Sequence, residues 1–162
     1  MDRAIRIAPA TEDQTPLIVE FIRGLAEYEK LAHEVIATEE SVRRSLFGAR
    51  PDAEVVIAYV GEEPAGFALF FHNYSTFLTR RGLFLEDLFV KPAFRGHGVG
   101  KRLLQYLAQL AVDRGCGRFE WCVLEWNEPA IRFYQSVGAR PMSDWRVFRI
   151  TGDALVELAG GP

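Results

Sequence analysis

The run Val90-Lys91-Pro92-Ala93-Phe94-Arg95-Gly96-His97-Gly98-Val99-Gly100-Lys101 constrains the fold more than any other stretch of the chain. An apolar segment, Leu83 to Val90, leads into it, and Leu103, Leu104, Leu107, Ala108, Leu110 and Ala111 follow on one helical face ending before Gly115. A strand must therefore pass directly into a helix through three glycines at alternate positions. Glycine admits φ > 0 and close backbone approach, and a helix start carries a partial positive charge, so such a segment turns N–H groups toward phosphate oxygens. Arg95 and Lys101 add full charges.

Spacing narrows the phosphate ligand. A nucleoside triphosphate loop needs four residues between its first Gly and the Gly-Lys pair, then Ser or Thr; here three residues separate Gly96 from Gly100, and Arg102 follows Lys101. A dinucleotide fingerprint needs Gly-x-Gly-x-x-Gly near the first strand, whereas this chain has Gly-x-Gly-x-Gly past its midpoint. A turn without a ligand is the plain alternative, and the local charge weighs against it. From Lys91 to Arg118 there are six Lys/Arg against the single Asp113, while Met1 to Pro64 has thirteen Asp/Glu against seven Lys/Arg. One segment suits an anion and the other a cation. With a net charge of −3, the molecule as a whole offers no field for a nucleic-acid backbone.

The remaining pattern predicts one α/β domain over residues 1–162, a length that buries roughly two thirds of the unfolded surface. Ile5 to Ala8 reads as a strand, Thr11 with Gln14 as a capping box before a helix with the stripe Leu17, Ile18, Phe21, Ile22 and Leu25, and Thr38 to Phe47 as a second helix. Glu54 to Val60 and Ala65 to Phe71 form a hairpin about Gly61-Glu62-Glu63-Pro64. Phe119 to Leu124 and Trp145 to Ile150 read as strands, and Asn127-Glu128-Pro129 opens a helix that Gly138 ends. No leader and no stretch near 18 apolar residues is seen, which predicts a cytoplasmic protein not bound to membrane. Cys116 and Cys122 lack a nearby His or a second pair, so no metal site is expected.

The Arg95 to Gly100 segment resembles the pyrophosphate-binding loop of the GNAT superfamily of N-acetyltransferases. The surrounding residues fit that resemblance: Leu85-Glu86-Asp87-Leu88-Phe89-Val90 before the loop, then Glu125-Trp126-Asn127-Glu128-Pro129 and Phe133-Tyr134 after it. With Leu25-Ala26-Glu27-Tyr28-Glu29 near the start, the chain is most similar to the spermidine/spermine (diamine) and thialysine acetyltransferase subgroup. The resemblance implies a mixed, mostly antiparallel central sheet flanked by helices, acetyl-coenzyme A as cosubstrate, a small primary amine as acceptor, and a homodimer.

The resemblance also implies roles for residues. Arg95, Gly96, His97, Gly98, Val99, Gly100 and Lys101 would hold the pyrophosphate, with His97 at a position the pattern leaves free. Backbone groups of Leu88, Phe89 and Val90 would pair with the pantetheine arm, which Asn127 would anchor with Ala130 beside it. Tyr134 would protonate the departing thiolate. Glu86 would take the amine's proton; strand alternation turns Glu86 and Asp87 to opposite faces, the resemblance selects Glu86, and Asp87 is left to structure. Tyr28, Glu29, Glu86, Glu120, Trp121 and Cys122 would line the amine site. Against these stand plainer readings: Glu86 as an ordinary carboxylate, Tyr134 as part of a packing stripe with Ile131 and Val137, and Tyr28 with Glu29 as a solvated helix end. Between Ala139 and Trp145 the chain is about three residues shorter than the animal diamine enzymes and keeps only Asp144 of their acidic cluster, which puts recognition of long polyamines in doubt. Acetylation of a protein or peptide amine, and coenzyme A sensing without turnover, stay open as alternatives.

Overall fold

The computed structural model describes residues 4–160. In chain order the elements are β1 (Ile5–Pro9), α1 (Thr15–Tyr28), α2 (Glu39–Phe47), β2 (Glu54–Val60), β3 (Glu63–Ser75), β4 (Arg80–Val90), α3 (Val99–Asp113), β5 (Phe119–Trp121), α4 (Glu128–Ser136) and α5 (Gly152–Leu158). The helix starts follow local chemistry. Thr11 and Gln14 form the capping box of a single 3-10 turn that leads into α1. The Thr38 hydroxyl accepts from the Ser41 N–H at 3.1 Å to cap α2. Pro129 sits in the first turn of α4, where its missing N–H costs nothing. Among the described residues no helix is long and apolar enough to cross a membrane.

The strands lie in the order β1-β2-β3-β4-β5, with the first four antiparallel and β5 parallel to β4. The expected mixed, mostly antiparallel sheet is thus present. Trp145 to Ile150 is a correction: it forms no strand, and Trp145, Val147 and Phe148 are 76%, 80% and 92% exposed. Its apolar residues satisfy the side-chain pattern of a strand, but a strand exists through its ladder, and no described strand pairs with this one. For the same reason β5 stops at Trp121 rather than Leu124.

The chain divides into two compact units, Met1–Leu124 and Glu125–Pro162. In the first, Ile18, Val19 and Phe21 of α1, Val42 and Leu46 of α2, and Val55, Ile57, Phe67 and Phe89 of the sheet make one buried cluster. Phe21 stacks on Phe67 at 5.2 Å between centroids and meets Phe89 at 6.2 Å. Leu88 and Val90, which alternate with Phe89, face α3 instead: a Cβ on Gly100 would stand 3.9 Å from each. The helices α1 and α2 therefore cover one face of the sheet and α3 the other. The second unit contains α4, α5 and the turn Ser143–Asp144 between them.

Close contact between α1 and β4 depends on Gly24, where a Cβ would stand 2.7 and 2.8 Å from two ring atoms of Phe89. That ring is 7% exposed and held by Phe21, so it has little room to retreat. Gly24→Ala gains about 1 kcal/mol in helix propensity but meets an overpacking cost of about 1–3 kcal/mol, so net destabilisation is expected. Urea denaturation checks this: the midpoint should fall with an unchanged slope, and an equal or higher midpoint would mean that the ring moves aside freely.

Candidate functional site

The glycine loop has the conformation that its sequence demands. Gly96 and Gly98 have φ of +80° and +84°, and Gly98 is the N-cap of α3. No atom lies within 4 Å of a Cβ built on either, so side chains there would project into the open space before the helix. The first closed bond of α3 runs from the Arg102 N–H to the Gly98 carbonyl at 3.0 Å. The N–H groups of Val99, Gly100 and Lys101 thus precede the helical ladder and point out of its positive end, where an anion would complete them. His97 and Lys101 are exposed. Arg95, at the start of the loop, has contacts outside it. Its Nε donates to the Val90 carbonyl at 2.9 Å, and its guanidinium lies 4.9 Å over the Tyr28 ring.

Beside the loop, β4 has an open edge. β5 pairs Phe119, Glu120 and Trp121 with Leu83, Phe84 and Leu85 and then stops, while β4 continues to Val90. The Lys91 N–H donates to Ala65 of β3 at 2.8 Å. Alternation along β4 then turns the backbone groups of Phe89 toward β3 and those of Leu88 and Val90 toward the open edge. Of the three expected to pair with an extended arm, two face the edge. Phe89 contributes its ring to the core instead.

Carboxylates gather where β5 leaves off. In the β3–β4 register Leu69 faces Asp87 and Phe70 faces Leu85, so Glu86 has no partner and forms a β-bulge immediately after the last residue paired to β5. The bulge breaks the alternation by which Glu86 and Asp87 would take strictly opposite faces. Asp87 is mostly buried; burial, the Glu86 charge and the Glu29 charge raise its pKa from an ordinary 3.8 to about 6. Glu29, at the C-cap of α1, is likewise raised by burial and by Glu86. The sequence-based roles omitted Asp87 because nothing in the sequence marks a bulge. Tyr28, the last residue of α1, adjoins this cluster and is 40% exposed.

Glu120 and Trp121 lie half-buried on β5, with Asn73 donating to Glu120 Oε1 at 3.5 Å and Trp121 stacked edge-on with Phe119 at 4.9 Å. Cys122 follows the strand and is exposed. In the second unit Asn127 is buried as the N-cap residue of α4, and its carbonyl accepts from Ile131 at 3.1 Å. Asn127, Ala130 and Tyr134 share a face of α4 by helical spacing, and Tyr134 is half-buried, 5.8 Å from Phe133 between rings.

A family profile described as acetyltransferase (GNAT) matches residues 18–139. The chain belongs to that family. It is 38% identical over 168 residues to a thialysine N-epsilon-acetyltransferase from Sus scrofa, covering 97% of this chain and 98% of that one. It is 33% identical to an L-ornithine N5-acetyltransferase from Arabidopsis thaliana, covering 93% and 86%. Among solved structures, an integron cassette protein from the mobile metagenome of V. cholerae superposes with a TM-score of 0.80 at 25% identity, covering 96% and 97%. As a GNAT acyltransferase, the chain is an N-acetyltransferase whose acetyl donor is acetyl-coenzyme A.

Because Asp87 binds its proton more tightly folded than unfolded, the native state holds more protons between pH 3.8 and about 6, and stability falls as pH rises through that window. The full cost, on the order of 3 kcal/mol, is present above it. Asp87→Asn should therefore remove this slope and leave the protein more stable than wild type at pH 7.5 but not at pH 3.5. Urea midpoints taken from pH 3.5 to 7.5 check this; parallel profiles for the two proteins would show that Asp87 is not held above its ordinary value.

Proposed function

We propose that the protein transfers an acetyl group from acetyl-coenzyme A to the terminal primary amine of a small basic amino acid or diamine. The observation that carries this reading is the convergence of Glu29, Glu86 and Asp87 at the point where β4 loses its β5 partner. Three carboxylates held against their own repulsion are relieved by one ammonium, so the site favours a cation. The names of the relatives, which mark thialysine and ornithine as acceptors of those enzymes, support the same class.

Acetyl-coenzyme A, when bound, supplies an acyl carbon open to attack and a thiolate leaving group. The N–H groups of Val99, Gly100 and Lys101 hold its pyrophosphate, Leu88 and Val90 offer backbone groups to its arm, and Asn127 with Ala130 anchors that arm. An alkyl ammonium is not a nucleophile at neutral pH. A carboxylate oxygen of Glu86 accepts its proton, directly or through water, while Asp87 and Glu29 hold the cation. Tyr134 donates its phenolic proton at Oη to the leaving sulfur. Glu120, Trp121 and Cys122 complete the amine site. Relatives aligned over nearly their full length support one N-acetyltransferase domain across both units. Free Cys116 and Cys122 suit a cytoplasmic protein.

A second reading is favoured by one feature. A groove of about 880 Å³ runs along α1 from Pro16 to Tyr28, with Lys91 and Arg95 on its opposite wall. It could take a peptide bearing the amine. A panel of thialysine, ornithine, lysine, putrescine, spermidine and a short lysine peptide, read by thiol release, decides between them. Preference for the small amines supports the first reading, and turnover of the peptide alone would replace it.

On the usual scale for one positioned acid or base, Glu86→Gln and Tyr134→Phe should each lower kcat by about 10²- to 10⁴-fold with little change in cofactor affinity. Glu86→Gln should also move the pH optimum of kcat/KM upward, because amine already deprotonated at high pH needs no base. Tyr134→Phe should stay slow there. A Tyr134→Phe enzyme with wild-type kcat, under conditions where chemistry limits the rate, would return Tyr134 to the packing stripe. The homodimer is supported by the exposed apolar residues Trp145, Val147 and Phe148; light scattering at micromolar concentration should give twice the 18.3 kDa chain mass, and a monomer mass would exclude it.

A further inference from the structure

We propose that Arg95 is a positioning residue that ties the order of the amine site to occupancy of the cofactor loop. The proposal rests on the reading of Tyr28 as part of the amine site. Arg95 immediately precedes Gly96 and so opens the loop, yet its side chain leaves it. Nε donates to the Val90 carbonyl at 2.9 Å, and the guanidinium lies 4.9 Å from the Tyr28 ring centroid and 5.6 Å from that of Phe89. One side chain thus spans the end of β4, the end of α1 and the ring that joins them. No carboxylate among the described residues pairs with it; flat ring faces and one carbonyl hold it instead.

Position gives this contact its consequence. Tyr28 is the last residue of α1, followed by Glu29 at the C-cap and by Lys30 at φ +61°, where the helix has ended. Terminal turns fray, and what lies on a partly exposed tyrosine there adds to what orders its ring. Arg95 lies on it. The loop backbone that carries Arg95 holds two glycines in the left-handed region and gains little order of its own from side-chain packing. An anion bridging Val99, Gly100 and Lys101 fixes that backbone, hence the root of Arg95, hence the Tyr28 ring. An amine arriving afterwards meets a site already ordered and loses less entropy on binding. By linkage the amine tightens the cofactor by the same factor.

The test uses coenzyme A and thialysine as probes, with the tyrosine rings carbon-13 labelled; the chain has five tyrosines, and the Tyr28→Phe spectrum assigns the signal. In wild type, coenzyme A alone should shift the Tyr28 ring signal. Calorimetry should show thialysine binding roughly 10-fold tighter to the coenzyme A-saturated protein than to the free protein, within the usual range of coupling between sites. In Arg95→Met the ring signal should not respond, and the coupling should fall below about twofold even with coenzyme A saturating. Arg95→Lys, which keeps the charge but neither the flat face nor the Nε–H, should behave likewise and serves if the Met variant does not fold. Tyr28→Phe keeps the ring and should keep the coupling. Tyr28→Leu should lose it, and adding Arg95→Met should cost nothing further. A wild-type Tyr28 signal indifferent to coenzyme A, coupling that survives in Arg95→Met or Arg95→Lys, or additive losses in the double variant would each overturn the proposal. If coenzyme A moves the ring but wild type binds no thialysine, the amine-site reading fails while Arg95 remains the link between loop and helix.

Discussion

The arrangement depends on β4 having a ladder on both sides only as far as Leu85. Up to that residue it is an interior strand held by β3 and β5. Beyond it, Leu88 and Val90 turn their backbone groups to an edge that no described strand pairs, with the Val90 carbonyl already accepting from Arg95 Nε. Unpaired strand edges are costly in water-poor surroundings and prone to unwanted pairing, so proteins normally shorten or cover them. Here the edge runs into a glycine loop and a helix start, two other places where backbone groups lack partners. Three kinds of backbone incompleteness thus fall along one path, and the proposed placement of an extended amide-bearing arm and a diphosphate rests on that.

The bulge at Glu86 marks the change from a strand paired on both sides to one paired with β3 alone among the described strands. Without it, continuous alternation would have kept Leu85 and Asp87 on one face. With it, Leu85 stays opposite Phe70, Asp87 moves opposite Leu69, and Glu86 stands outside the pairing. A carboxylate freed from the ladder is placed beside one that is buried and one at the end of α1. Burial first, and the Glu86 and Glu29 charges after it, raise the pKa of Asp87, so keeping this carboxylate here carries an electrostatic cost. Packing supplies what offsets it: Phe89, two residues on, is clamped between Phe21 and the bare backbone of Gly24, so the strand cannot move away from α1 to spread the charges.

Much of this was legible in the sequence, for reasons that differ by residue. Thr11, Thr38, Pro129 and the glycines of the loop act through their own backbone or a neighbour three residues away, and such local chemistry is written in the chain order. The helical stripe of α3 is legible because burial repeats with the helical period. What was not legible depends on partners far along the chain. The bulge is a mismatch between two strands, and neither Leu69 nor Glu86 alone announces it. Trp145 to Ile150 carries the composition of a strand without the ladder. Arg95 sits in a run of glycines beside an expected phosphate, yet its long side chain is claimed by the aromatic faces of Tyr28 and Phe89, which chain order cannot place beside it.

Charge distribution follows the same division of labour. The cations of the segment after Lys91 do not all face one anion: Lys91 lies 3.7 Å from Glu20 and over the Phe21 ring, and Arg114 makes a bidentate pair with Glu54 at 2.7 and 2.9 Å. The Glu54 pair lowers the carboxylate's pKa and ties the end of α3 to the start of β2, a structural use of charge. What the proposed anion site is left with is chiefly backbone, the N–H groups at the start of α3 with the exposed Lys101 beside them. A site built from backbone keeps its geometry when surface side chains change rotamer, and it selects by the shape and spacing of oxygens more than by total charge. The seat proposed for a diphosphate asks for that property, because one register of its oxygens sets how far along β4 the rest of the proposed cosubstrate reaches.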